Sequence, residues 1–260
     1  MRRTMTKKQK ISLGIVSVLL SAVLAASGFM IYRELSLQQK EKEDFKDLAE
    51  LITLTPIEPP ETGNPSGETD AEETQQSGRN LSELFAMNSD CIGWICIPGT
   101  AVDYPVMHTP TNPQKYLRQN FYGEYSASGV PFLDGRCGTE SGNYIIYGHN
   151  MRNGTMFGDL CCYTDPAFCA EHPTVEFETA DGLNLCEIFA VLKTDNADEW
   201  YNFNTADGKD AFDECISKAK ARSLFQTDVI PEYGQRLLTL STCYGSSKNG
   251  RLLVLAVQTN

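Results

Sequence analysis

From residue 81 to the C-terminus the chain turns too often to build long regular elements. Eight runs of four to nine residues, rich in β-branched, aliphatic and aromatic side chains, follow one another at 93–97, 102–106, 130–133, 144–147, 174–178, 185–193, 237–243 and 251–258. Turn formers separate them, among them Pro98-Gly99, Ser128-Gly129, Ser141-Gly142 and Asp181-Gly182. So many short strands in one domain leave many edges to satisfy, and closure satisfies them. The pattern therefore predicts a mainly β fold, an eight-stranded, closed or nearly closed barrel. Helical spacing interrupts it in three places. One is an N-terminal helix at 81–88, with Leu81, Leu84 and Phe85 on one face. The second is a short insert at 156–160. The third is a long insertion at 208–225, before the penultimate strand, carrying Phe212, Ile216, Ala219 and Leu224.

The first 80 residues have a different character. Residues 11–32 carry no charge and are long enough to cross a bilayer core as a helix. Five basic residues (Arg2, Arg3, Lys7, Lys8, Lys10) precede this run and no acidic residue occurs before Glu34. The positive-inside rule then predicts a cytoplasmic basic tail at 1–10, an anchor at 11–32 and an extracellular body. Val23-Leu24-Ala25 also suits signal-peptide cleavage, but the apolar run continues through Phe29, Met30 and Ile31, which favours an anchor. Residues 33–80 read as a juxtamembrane helix followed by an acidic linker with Pro56, Pro59, Pro60 and Pro65, too polar to bury a core. The folded domain is expected at 81–260, and a chain starting there is expected to fold alone. With the five N-terminal charges set aside, 17 basic residues remain against 34 acidic ones. Such a body is unsuited to nucleic acid, whose binding rests on phosphate neutralisation.

Nine cysteines in an exported chain would ordinarily suggest disulfides, but the count is odd and the spacing irregular. Most read as core filler. Cys161, Cys162, Cys169 and His172 do not match metal-site spacing, so neither metal nor cofactor is expected.

Cys243 ends one C-terminal strand and Arg251 opens the next, with Gly245, Ser246, Ser247, Asn249 and Gly250 between them. Paired as a hairpin, they bring a thiol and a guanidinium to one rim, a nucleophile beside a charge stabiliser. On the hairpin alone the plainer reading is a small apolar cysteine and a solvated arginine. His149 changes the balance, because it stands at the mouth of the strand 144–147 with Gly148 before it. Base or acid, nucleophile and oxyanion stabiliser are then all present. Papain-like hydrolases place the cysteine before the histidine, and here the order is reversed.

These residues resemble those of class B sortases, membrane-anchored cysteine transpeptidases of Gram-positive bacteria. The resemblance rests on Thr239-Leu240-Ser241-Thr242-Cys243, on Tyr147-Gly148-His149-Asn150 and on Arg251. Further matches are Gly93-Trp94-Ile95, Ile97-Pro98-Gly99-Thr100, Asp103-Tyr104-Pro105-Val106, Phe132-Leu133-Asp134 and Met156-Phe157-Gly158. It implies a sortase-like barrel with Cys243, His149 and Arg251 catalytic, and Ser241, Tyr147, Thr242, Leu117 and Asn112 lining the substrate groove. It also implies cleavage of a sorting signal after Thr, a thioester, and transfer of a surface protein to a peptidoglycan precursor or other cell-wall amine. A pilin polymerase with a lysine acceptor and a non-catalytic ectodomain on the same barrel are the alternatives. Asp134 reads as a structural carboxylate.

Overall fold

The computed structural model describes residues 7–52 and 78–259. The chain divides into two compact units, Met1–Asp47 and Leu48–Asn260. Residues 1–6 and the linker stretch 53–77 lie outside the described residues.

Helix α1 (Lys7–Leu51) spans 45 residues without interruption. It contains no proline, and its only glycines are Gly14 and Gly28. The expected anchor and the start of the juxtamembrane segment thus fall in one continuous helix. Its apolar stretch has a mean hydropathy of 2.2 with none of the window buried, and Leu24 is 72% exposed. By length and composition this helix can cross a bilayer core.

The second unit is the expected barrel. Its strands are β1 (Cys91–Cys96), β2 (Asp103–Met107), β3 (Phe132–Leu133), β4 (Asn143–Tyr147), β5 (Thr174–Thr179), β6 (Gly182–Asp195), β7 (Leu237–Cys243) and β8 (Gly250–Gln258). They close in the order β1-β2-β3-β4-β7-β8-β6-β5, with β5 returning to pair with β1. Two contacts are parallel, β2–β3 and β4–β7. Helix α2 (Ser82–Met87) leads into β1, and α4 (Lys209–Arg222) is the long insertion between β6 and β7.

Several elements differ in detail from expectation. Strand β3 has two residues; Pro131 O before it accepts from Met107 N of β2, while Val130 N donates away from the ladder, to Tyr116 O. The insert expected at 156–160 is a 3-10 turn, Gly158–Thr164. Helix α3 (Pro166–Glu171) follows unannounced, started by Asp165, whose carboxylate accepts from Ala167 N, and by Pro166 in the first turn. Helix α4 stops at Arg222, so Leu224 lies beyond it and is 40% exposed.

The wall formed by β6, β7 and β8 is apolar on both faces. With a side-chain period of two, Leu238, Leu240, Leu252 and Val254 share the barrel interior. Leu237, Leu253, Leu255 and Val257 point the other way, into a cluster with Phe212, Ile216 and Ala219 of α4 and with Trp200. The segment between β6 and β7 therefore packs on the outside of the barrel. Trp200 pins it there: its Nε1 donates to Thr239 Oγ1, which donates in turn to Asn143 Oδ1, both at 2.9 Å.

Candidate active site

Register brings the expected residues together. Strands β4 and β7 run parallel with Tyr147 opposite Ser241, and the ladder extends one bond further, from Gly148 N to Ser241 O at 3.1 Å. Two residues further along each chain come His149 and Cys243, carried by the parallel alignment to the same rim. Strand β8 runs antiparallel to β7 and sets Arg251 directly opposite Cys243. Directly opposed residues share a face, with Cβ atoms about 5 Å apart. Across the rim the order is His149, Cys243, Arg251, all on the outer face that the β6–α4 segment also covers.

A groove of about 510 Å³ lies there. Its lining includes Leu117, Tyr147, His149, Tyr201, Ser241, Thr242, Cys243 and Arg251. Asn196 and Asp198, from the loop after β6, line it as well.

Glycine is required before the histidine for space rather than for backbone angle. A Cβ on Gly148 would lie 2.5 Å from the ring of fully buried Phe157, whose N donates to His149 O. Gly148→Ala is expected to cost about 1–3 kcal/mol by overpacking and to displace His149. A lowered melting temperature together with reduced peptide cleavage checks this. Full activity would show that the Phe157 contact does not set the position of His149.

The imidazole of His149 is held by a main-chain carbonyl. Its Nε2 lies 3.0 Å from Leu117 O, in the 3-10 turn Lys115–Leu117. A carbonyl only accepts, so Nε2 carries the hydrogen and Nδ1 presents its lone pair. Burial pushes the His149 pKa down, the Leu117 bond partly opposes this, and the charge of Arg118 lowers it further. The resting imidazole is neutral near pH 7.

All nine cysteines are free. Burial pushes the thiols of the other eight up, Cys91 and Cys169 to about 11 and Cys186 to about 12. Cys243 stands exposed at its strand end. Arg251 folds NH1 back onto its own turn, donating to Gly250 O (2.9 Å) and Lys248 O (3.3 Å).

The floor is a network of side chains. Tyr201 and Ser241 share a hydrogen bond of 2.7 Å, Tyr147 OH donates to Asp134 Oδ2 at 2.7 Å, and Arg136 clasps the same carboxylate through Nε and NH2. Burial raises the Asp134 pKa, but hydrogen bonds from Arg136 and Tyr147 outweigh it and hold the carboxyl below its ordinary value. Asp134 is thus tied to Arg136 and Tyr147, and His149 is oriented by Leu117.

The groove-lining expectations divide. Leu117, Tyr147, Ser241 and Thr242 line the groove. Ser241 is 1% exposed with its hydroxyl on Tyr201, and buried Thr242 donates to Gly148 O at 2.8 Å, so both hydroxyls are committed to the scaffold. Asn112 stands outside the lining, exposed at the end of a tight turn in which its N donates to Thr109 O; Pro113 and Gln114 line the groove instead. Sequence reasoning missed Tyr201 and Asp198 at the groove, and it named Asn150 only as part of the Tyr147-Gly148-His149-Asn150 motif. The one signal for Tyr201 was an aromatic cluster, Trp200-Tyr201-Asn202-Phe203, just after the longest strand.

A closed barrel with a cysteine, a histidine and an arginine meeting on one rim is the architecture of a sortase. The chain belongs to the sortase family, whose domain profile matches residues 95–259. Its relatives place it in class B, so it is a cysteine transpeptidase. Sortase B of Listeria monocytogenes is 36% identical over 179 residues, covering 67% of this chain and 72% of that protein. Sortase B of Staphylococcus aureus is 27% identical over 253 residues, covering 96% of this chain and 97% of its own length. The solved Staphylococcus aureus sortase B–substrate complex superposes with a TM-score of 0.64 at 29% identity, covering 69% of this chain and 84% of that one.

Proposed function

We propose that this chain is a membrane-anchored transpeptidase that cuts a sorting signal after Thr and transfers the acyl part to a cell-wall amino group. The observation that carries the reading is the register, with Cys243 opposite Arg251 on β8 and beside the β4 exit bearing His149. The Cys243 proton passes to Nδ1 of His149 as the sulfur attacks the Thr carbonyl carbon. Arg251 stabilises the oxyanion. The C–N bond breaks, the imidazolium protonates the departing amine, and a thioester remains on Cys243. An incoming amine then loses a proton to His149 and attacks the thioester, forming an amide and restoring the thiol. Helix α1 supplies the anchor, with the basic N-terminus in the cytoplasm and the barrel outside.

The test is to incubate the full-length protein in detergent with fluorogenic Pro-x-Thr peptides, with and without an added amine. Cleavage after Thr and an amine-linked product are expected. Absence of cleavage across a panel of Thr-containing peptides would contradict the reading. The same assay gives a pH test. A neutral imidazole must accept the thiol proton, and His149 sits below the ordinary value of 6.5. On the acid side kcat/KM should therefore fall with a midpoint below 6.5, whereas a midpoint above it contradicts a neutral resting pair. The stability sign agrees, since the contribution of a His buried neutral is full above its unfolded pKa and is lost as pH falls through the folded one.

A further inference from the structure

Three hydrogen bonds in succession join the exit of β4 to the exit of β7. Gly148 N donates to Ser241 O (3.1 Å), Thr242 Oγ1 donates to Gly148 O (2.8 Å), and Asn150 Nδ2 donates to Cys243 O (3.0 Å). The third reaches the main chain of the nucleophile itself. The same amide nitrogen lies 3.0 Å from Cys161 Sγ, in the 3-10 turn Gly158–Thr164. A primary amide has two N–H bonds, so one hydrogen serves each acceptor and the group is held at both ends. The backbone of Asn150 is fixed as well, by a bridge to Met156, which takes a left-handed φ of 56°.

Asn150 does not line the groove. Its side-chain bonds go to Cys243 O and Cys161 Sγ. It also follows His149 directly. The peptide bond joining them, plus one hydrogen bond, connects the proton carrier to the nucleophile's own carbonyl. We propose that Asn150 is a positioning residue for the transpeptidase reaction. It fixes the end of β7 from which Sγ projects, at a set offset from the imidazole, with Cys161 as its second anchor. This rests on Cys243 as nucleophile and His149 as proton carrier. Reacting groups displaced by about 1 Å lose on the order of 10²-fold in rate, so a single clamp at this place is enough to matter.

The test uses the full-length protein with Asn150→Ala and Asn150→Asp. The aspartate keeps the shape but turns carboxylate oxygens toward the Cys243 carbonyl and the Cys161 sulfur. In both variants kcat for peptide cleavage should fall by about tenfold or more with KM unchanged. Iodoacetamide labelling of Cys243, located by mass spectrometry, should stay within about twofold of wild type, because a small reagent needs no alignment with the imidazole. A kcat within about twofold of wild type in Asn150→Ala overturns the proposal, judged on the same alignment scale. So does a rise in KM at unchanged kcat, which marks a substrate contact, and so does new labelling of buried cysteines such as Cys169 and Cys186, which marks unfolding. Cleavage surviving in Cys243→Ala would instead remove the reading beneath it. Loss there with a normal Asn150→Ala removes this inference alone.

Discussion

Cys243→Ala is expected to abolish both peptide cleavage and thioester formation, by at least about 10⁴-fold, while leaving the barrel folded. Eight other thiols compete for the role and all are raised by burial, Cys186 to about 12. A buried thiol is costly to ionise and hard for a peptide to reach. Cys243 is exposed at the end of β7, faces the groove, and has Arg251 across the ladder. Removing an exposed sulfur leaves no cavity, so stability should stay within about 0.5 kcal/mol of wild type. Cleavage rates and a thermal melt check both halves. A variant that melts early would make the lost activity uninformative, and near-normal turnover would remove Cys243 from the chemistry.

Arg251→Lys is expected to lower kcat by about 10²–10³-fold although the positive charge is kept. The guanidinium spends NH1 on Gly250 O and Lys248 O, which fixes its plane, and a planar fork has further N–H groups to aim at an oxyanion. A lysine ammonium at the same position is a single point charge. It cannot both bond the turn carbonyls and reach the groove with a fixed geometry. The loss should appear in kcat more than in KM, since the oxyanion exists only in the transition state. A lysine variant of near wild-type kcat would reduce the role of Arg251 to charge alone.

The barrel was legible because each strand is a β-rich run closed off by turn formers, and because β7 and β8 carry aliphatic residues on both faces. That continuity has a physical cause: one face fills the barrel and the other meets α4. The meeting of Cys243, His149 and Arg251 at one rim was legible because each stands where an apolar strand gives way to polar residues. Leu117 was expected at the groove for its side chain, whereas its grip on His149 is through a main-chain carbonyl, which no residue type announces. Tyr201 came from a segment with no strand or helix period, and its place on Ser241 depends on Trp200 docking over β7. Asn112 lies outside the groove lining, exposed at the end of a tight turn in which its N donates to Thr109 O.

The central claim is that acyl transfer passes through Cys243. The direct measurement is mass spectrometry of the full-length protein after mixing with a Thr-containing sorting peptide in the absence of amine, quenched in acid and digested. One acyl adduct is predicted, carrying the peptide up to its Thr, on the fragment containing Cys243 and released on adding an amine. An adduct on Cys91, Cys161 or Cys162, or cleavage with no adduct on Cys243 under any quench time, would contradict the account.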